Sequence, residues 1–226
     1  MVTAYRRNFI PGGSFFFTVN LLDRRSDLLT DRIDLLRHAF RAVRARHPFT
    51  LDAIVILPDH LHAIWTLPPG DADYATRWRL IKAEFSRGIA ATEERSDSRR
   101  REGERGIWQR RYWEHTLRDD SDYECHCDYI HYNPVKHGHV STANEWRYSS
   151  FQRFVERGVY PVEWDSENND DGDFGERGRT RIDGYRGVYP QQGKGLYPSY
   201  GKSARSRDRC RMSGGVAPIP IEPSFV

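Results

Sequence analysis

Pro58-Asp59-His60-Leu61-His62-Ala63-Ile64-Trp65-Thr66-Leu67 decides how the rest of this chain is read. Side chains of a strand alternate between its two faces, so His60 and His62 point the same way, about 6.5 Å apart along the backbone. Leu61, Ala63, Trp65 and Leu67 take the opposite face and suit a core. Two imidazoles on one face can share a cation, but the same alternation also fits two polar residues on the solvated face of a strand. A third ligand and a nucleophile elsewhere in the chain would separate the two readings.

Just upstream, Ala53-Ile54-Val55-Ile56-Leu57 is the continuous apolar run of a strand covered on both faces, and Pro58-Asp59 forces a tight connection. The two strands are expected to pair as an antiparallel hairpin near the sheet centre. Further out, Ser14 to Leu21 follows the turn signal Pro11-Gly12-Gly13 and is rich in aromatic and branched residues, a first strand. Ile33, Leu36, Phe40 and Val43 recur at helical spacing, and that helix ends before Pro48. Downstream, Trp78, Ile81, Phe85 and Ile89 mark a second helix with Asp73 near its start, and Trp113 to Leu117 alternates like a fourth strand. Between them, Glu93 to Arg105 has no apolar side chain and reads as a solvated loop. The result is an α+β fold, a ferredoxin-like β-α-β-β-α-β antiparallel sheet with helices on one face.

Ser121 and Glu124 have capping-box spacing, so a further helix should begin there and stop near Asn133-Pro134. A short last helix is signalled by Ser149 with Gln152, by Phe151, Phe154 and Val155, and by Gly158 as its stop. The expected domain is residues 1–165. Residues 166–226 are rich in Gly, Pro, Ser, Asp and Arg, too poor in apolar surface to offset their ordering entropy, and read as a disordered tail. Within that tail Arg186-Gly187-Val188-Tyr189-Pro190 repeats Arg157-Gly158-Val159-Tyr160-Pro161.

The 226 residues allow one domain of ordinary core size plus an extension, and mean hydropathy is −0.78 with 30% charged residues, so apolar segments are concentrated. A net charge of +3 decides nothing about polyanions, although the basic residues are mostly Arg, whose planar fork suits phosphates and ring stacking. Three cysteines, no leader-like segment and no long apolar run point to a reducing cytoplasm.

On the helix after Ser121, Tyr129 and Asn133 stand four apart, on one face. Asn133 offers a carbonyl oxygen to a hard cation, and Tyr129 a phenol oxygen that can attack phosphorus. Taken alone, they read as a core tyrosine and a helix cap; taken with His60 and His62, they supply the missing ligand and nucleophile if this helix crosses the histidine strand.

At these residues the sequence resembles a known family. His60-Leu61-His62 resembles the HUH motif. Trp108-Gln109-Arg110-Arg111-Tyr112-Trp113-Glu114-His115 and Asp128-Tyr129-Ile130-His131-Tyr132-Asn133-Pro134-Val135-Lys136-His137-Gly138 resemble the REP-associated tyrosine transposases, relatives of the single-tyrosine transposases of small insertion sequences. The resemblance runs from about Tyr5 to Pro161 and implies an RRM-like sheet, consistent with the strand order above. It also implies a metal-dependent endonuclease and strand transferase acting on single-stranded, hairpin-forming DNA through a 5′-phosphotyrosine. His60, His62 and Asn133 match the metal ligands, for Mg2+ or Mn2+, and Tyr129 the nucleophile. No nucleotide cofactor or membrane is expected, and the resemblance leans towards a monomer. Arg6, Arg7, Arg77, Lys82, Arg87, Arg110 and Arg111 are the candidate phosphate contacts, with Trp108 or Tyr112 stacking a base. Two rivals remain at this stage. One is a module of the same fold that binds repeat DNA without cutting. The other is a zinc hydrolase, disfavoured because Cys125 and Cys127 fall about 200° apart on a helix.

Overall fold

A computed structural model describes residues 7–164 apart from residue 94; the expected tail, its repeated pentapeptide and Arg6 lie outside the described residues. Among the described residues there are four strands: β1 (Ser14–Asn20), β2 (Thr50–Ile56), β3 (His60–Thr66) and β4 (Trp113–Thr116). Helices follow in chain order as α1 (Leu28–Asp31), α2 (Ile33–Arg46), α3 (Tyr74–Arg87), α4 (Asp97–Arg101), α5 (Asp120–Lys136) and α6 (Phe151–Glu156), with a 3-10 turn at Ala143–Glu145. The sheet is antiparallel in the order β2-β3-β1-β4. This is the split β-α-β arrangement expected from the sequence.

The β2–β3 hairpin is not central as a unit: β3 is interior, but β2 is the sheet edge. The apolar run over Ala53–Leu57 made β2 look central because its outer side is covered by other means. Ile56 N–H donates to Tyr148 O (2.8 Å) and Ser150 N–H to Ile54 O (2.9 Å), so a late segment takes up the bonds that a fifth strand would make. His131, a buried residue of α5, hydrogen-bonds Ser150 Oγ at 2.9 Å and helps hold that segment.

The two crossover helices cover one face, as expected. Phe15, Phe17, Leu61, Ala63 and Trp65 pack there against Leu36, Phe40 and Val43 of α2 and Tyr74, Trp78 and Phe85 of α3. The Trp65 ring lies 4.1 Å from both Phe49 and Trp78, centroid to centroid. The opposite face carries a second layer: Phe16, Val55 and Ile64 meet Cys127, Tyr129 and Ile130 of α5 and Phe154 of α6.

Helix ends follow local chemistry. Asp73 caps α3 by accepting from Thr76 N–H (2.9 Å). The start of α5 differs from the Ser121 reading: Asp119 is the cap and accepts from Asp122 N–H (2.9 Å), which places Ser121 and Glu124 inside the helix. Its end differs too, since Pro134 lies within α5. A proline removes one helical donor, but the turn after it is closed by Gly138, whose φ of 68° lets its N–H reach Val135 O and His139 N–H reach Pro134 O (2.9 Å each). The expected loop from Glu93 to Arg105 holds α4 and is pinned at its base, where Arg105 donates to the carbonyls of Ser86, Ile89 and Ala90 and pairs with Glu93.

Candidate active site

Pairing of β3 with β1 sets Thr18 opposite His62 and Asn20 opposite His60. Both histidines are buried on the α5 side, with ring centroids 5.0 Å apart. Each ring is held through Nδ1: His62 by Thr18 Oγ1 (2.9 Å) and His60 by Asp59 Oδ1 (2.7 Å). Arg24 pairs with Asp59 Oδ2 at 3.1 Å and hydrogen-bonds the Asn20 side chain. Burial pushes the Asp59 carboxyl up, but the His60 hydrogen bond and the charges of His60 and Arg24 outweigh it and hold the group below its usual range. An imidazole whose Nδ1–H donates to a carboxylate or hydroxyl presents Nε2 as its ligand atom, an arrangement typical of metal-binding histidines.

Across this face α5 lays Tyr129 and Asn133, four residues apart, and His137, the residue that caps its end, follows four further on. The Tyr129 ring lies 5.2 Å from that of His62, and the His137 ring 5.2 Å from that of His60. Asn133, between them on the helix, is fully buried. Phe16 fills the floor, 5.5 Å from His62 and 6.0 Å from Tyr129. Lys136 reaches back along the helix to place Nζ 3.5 Å from the Tyr129 hydroxyl and 4.7 Å from its ring centroid. The structure therefore gathers His60, His62, Tyr129 and Asn133, the four residues singled out in the sequence. The donor set of two Nε2 atoms and an amide oxygen, with the imidazoles already oriented, fits a divalent cation.

Sequence reasoning missed the residues that hold or flank these four. Asp59 carried a signal, a carboxylate directly before the first histidine, but was read only as a turn former. Lys136 and His137 were placed beyond the helix because Pro134 was taken as its end. Thr18 and Arg24 had no local signal, since their roles depend on β1–β3 register.

The DNA-contact candidates divide. Arg77 is corrected: it is buried, pairs with both Asp71 oxygens and donates to the carbonyls of His47, Pro48 and Asp73, so its guanidinium is consumed as a staple. Trp108 is corrected as well, being a core ring against Phe85. Lys82 donates to Gln109 O at 3.0 Å, and burial pushes its amine down to about 7. Tyr112 accepts from Arg7 (2.8 Å), whose guanidinium also lies 4.4 Å over the ring. Tyr112 and Lys82 belong to the α3 side of the sheet, away from the histidines. Arg87, Arg110 and Arg111 are exposed, Arg87 beside Glu84 and Arg110 beside Glu104.

A second histidine group joins β4 to α5. Donor atoms of His115, Asp122 and His126 lie within 4.8 Å of one another. The two rings are stacked, 4.7 Å apart and 11° from parallel, so their lone pairs run in nearly parallel planes and converge poorly on one ion. Asp122 instead accepts from His115 (2.9 Å) and Arg118 (3.1 Å), which ties the start of α5 to the sheet.

No family model matches the chain. It is 46% identical over 169 residues to the REP-associated tyrosine transposase of Escherichia coli K12, covering 75% of this chain and 94% of that protein. It is also 46% identical over 161 residues to a putative REP-associated tyrosine transposase of Haemophilus influenzae Rd, covering 71% and 92%. Among solved structures, a REP-associated tyrosine transposase bound to a REP hairpin is similar with a TM-score of 0.67 at 46% identity, over 78% of this chain and 98% of that one.

Proposed function

The chain belongs to the REP-associated tyrosine transposases, and from that premise we propose that it cuts and rejoins single-stranded DNA beside a repeat hairpin, with Tyr129 as nucleophile. The observation that carries this reading is the meeting of two elements distant in sequence: α5 sets the Tyr129 ring 5.2 Å from His62, with Asn133 one turn further along. A relative bound to a REP hairpin supports the choice of substrate.

His60, His62 and Asn133 would hold a divalent cation, Mg2+ or Mn2+, with Asp59 and Thr18 fixing the imidazoles. When bound, that cation polarises a non-bridging oxygen of the scissile phosphate and makes phosphorus a better electrophile. Tyr129 attacks in line, its oxygen bonds to phosphorus, and the 3′ oxygen leaves to become a free hydroxyl. The ester is conserved as a 5′-phosphotyrosine, so a second 3′-hydroxyl can reverse the step and join strands without a nucleotide cofactor. Attack geometry of this kind is hard to reach in a duplex, which favours a single-stranded target. Arg87, Arg110 and Arg111 are the candidates for backbone contact that are exposed, and the site of action is the cytoplasm.

Incubation of the full chain with Mn2+ and labelled single-stranded hairpin DNA, followed by denaturing electrophoresis, tests the reading. A covalent band is expected from the wild type and none from Tyr129→Phe. No band across a broad panel of repeat hairpins, with binding retained, would make the protein a silent repeat-binding module.

A further inference from the structure

We propose that Lys136 is a second catalytic residue of this site, its ammonium holding the Tyr129 oxygen in the attacking position and balancing the charge that develops on it. The proposal rests on Tyr129 being the nucleophile. Lys136 makes two contacts with that residue: Nζ stands 3.5 Å from the phenolic oxygen and 4.7 Å from the ring centroid. The first places a donor at the reacting atom; the second holds the cation over the electron-rich ring, which keeps it beside the oxygen.

The helix explains why this lysine can do so. Seven residues are close to two turns, so Lys136 lies nearly in line with Tyr129 on α5, and long helical side chains lean towards the N-terminus. The contact requires α5 to continue past Pro134, which it does through the Gly138 closure. Had the helix ended at Asn133, the amine would have no fixed direction.

The proton count closes without a further reactant. In cutting, the Tyr129 oxygen–phosphorus bond forms and the phosphorus–3′ oxygen bond breaks; the phenol proton passes to solvent and the leaving 3′ oxygen takes one back. Lys136 keeps its three protons throughout and acts by charge and hydrogen bonding. In joining, the phenolate is the leaving group, and the same ammonium stabilises its departure. One side chain therefore serves both directions, whereas a base that removes the phenol proton would serve only the first unless it were reset.

Full-length wild type, Lys136→Met, Lys136→Ala and Tyr129→Phe are compared in single-turnover adduct formation with Mn2+ and labelled hairpin DNA. Loss of one donor at a developing charge lowers the rate by about 10²- to 10³-fold, and both Lys136 variants should show a loss of that order while hairpin affinity and half-saturating Mn2+ stay near wild-type values. Methylammonium should restore part of the rate to Lys136→Ala and none to Tyr129→Phe. Adduct formation at the wild-type rate in both Lys136 variants, with Tyr129→Phe inactive, overturns the role of Lys136 and leaves Tyr129 standing. A slow Lys136→Ala that methylammonium cannot rescue also overturns it, because the lysine would then matter only for packing. A wild type that forms no adduct removes the Tyr129 reading and this role with it.

Discussion

Neighbouring residues of β3 face two helical layers built on different chemistry. Leu61, Ala63 and Trp65 look towards α2 and α3, into a core of stacked aromatic rings with the polar staple of Arg77 at its rim. His60, His62 and Ile64 look towards α5, where each buried polar ring is oriented by a hydroxyl or a carboxylate. The first layer gains from packing alone, to the point that the indole N–H groups of Trp65, Trp78 and Trp108 lie buried in it without a hydrogen-bond partner among the described residues. The second gives up some apolar burial to hold imidazoles, an amide and a phenol in fixed directions. A sheet with two covered faces lets the chain place stability and chemistry on opposite sides of the same strand.

Three perturbations break or sharpen this comparison, beginning with the largest. Trp65→Ala removes a fully buried ring from between Phe49 and Trp78 and should cost about 3–5 kcal/mol, read as a lower denaturant midpoint. A loss below about 1 kcal/mol would mean that the α2–α3 layer is not the main store of stability. Asp59→Asn acts on the other layer, weakening the acceptor that orients His60; loss of a group that hydrogen-bonds a metal ligand lowers metal affinity about 10- to 100-fold. Titration of Mn2+ against adduct formation should show that shift with little change in melting temperature, and unchanged Mn2+ dependence would remove Asp59 from the site.

The smallest effect is expected from pH. Burial pushes the His126 imidazole down to about 4 and that of His131 to about 3, both on α5. The folded chain therefore keeps them neutral where the unfolded chain, with imidazoles ionising near about 6.5, binds protons. Stability is full above the unfolded value and declines as pH falls from about 6.5 towards 4. Melting curves at pH 7 and 4.5 should differ by several degrees, and His131→Gln should flatten part of that difference. An equal decline in the variant would place the acid sensitivity elsewhere.

Much of this layout is legible in the chain because its signals are local. The Ile33–Val43 and Trp78–Phe85 periodicities give α2 and α3, and the alternation over His60–Leu67 gives both the paired imidazoles and the core face behind them. Where the reading went astray, a residue's neighbours in space outweighed its neighbours in sequence. The apolar run of β2 signals coverage, but cannot say whether the cover is another strand or the Tyr148–Ser150 segment. Pro134 signals a helix end, yet Gly138 and the packing of α5 carry the helix on by a turn. Arg77 looks like any cationic side chain until Asp71 and three carbonyls close around it.

By itself the sequence determined the four strands and the long helices α2, α3 and α5, the pairing of His60 with His62 on one face and of Tyr129 with Asn133 on another, because side-chain direction within a strand or helix follows from its fixed period. Only the tertiary structure decided that these two faces meet, that Asp59, Thr18 and Arg24 orient the imidazoles, and that Lys136 reaches the phenol. Those facts depend on strand register and on where α5 crosses the sheet. Both are set by contacts between residues far apart in the chain, which no local period encodes.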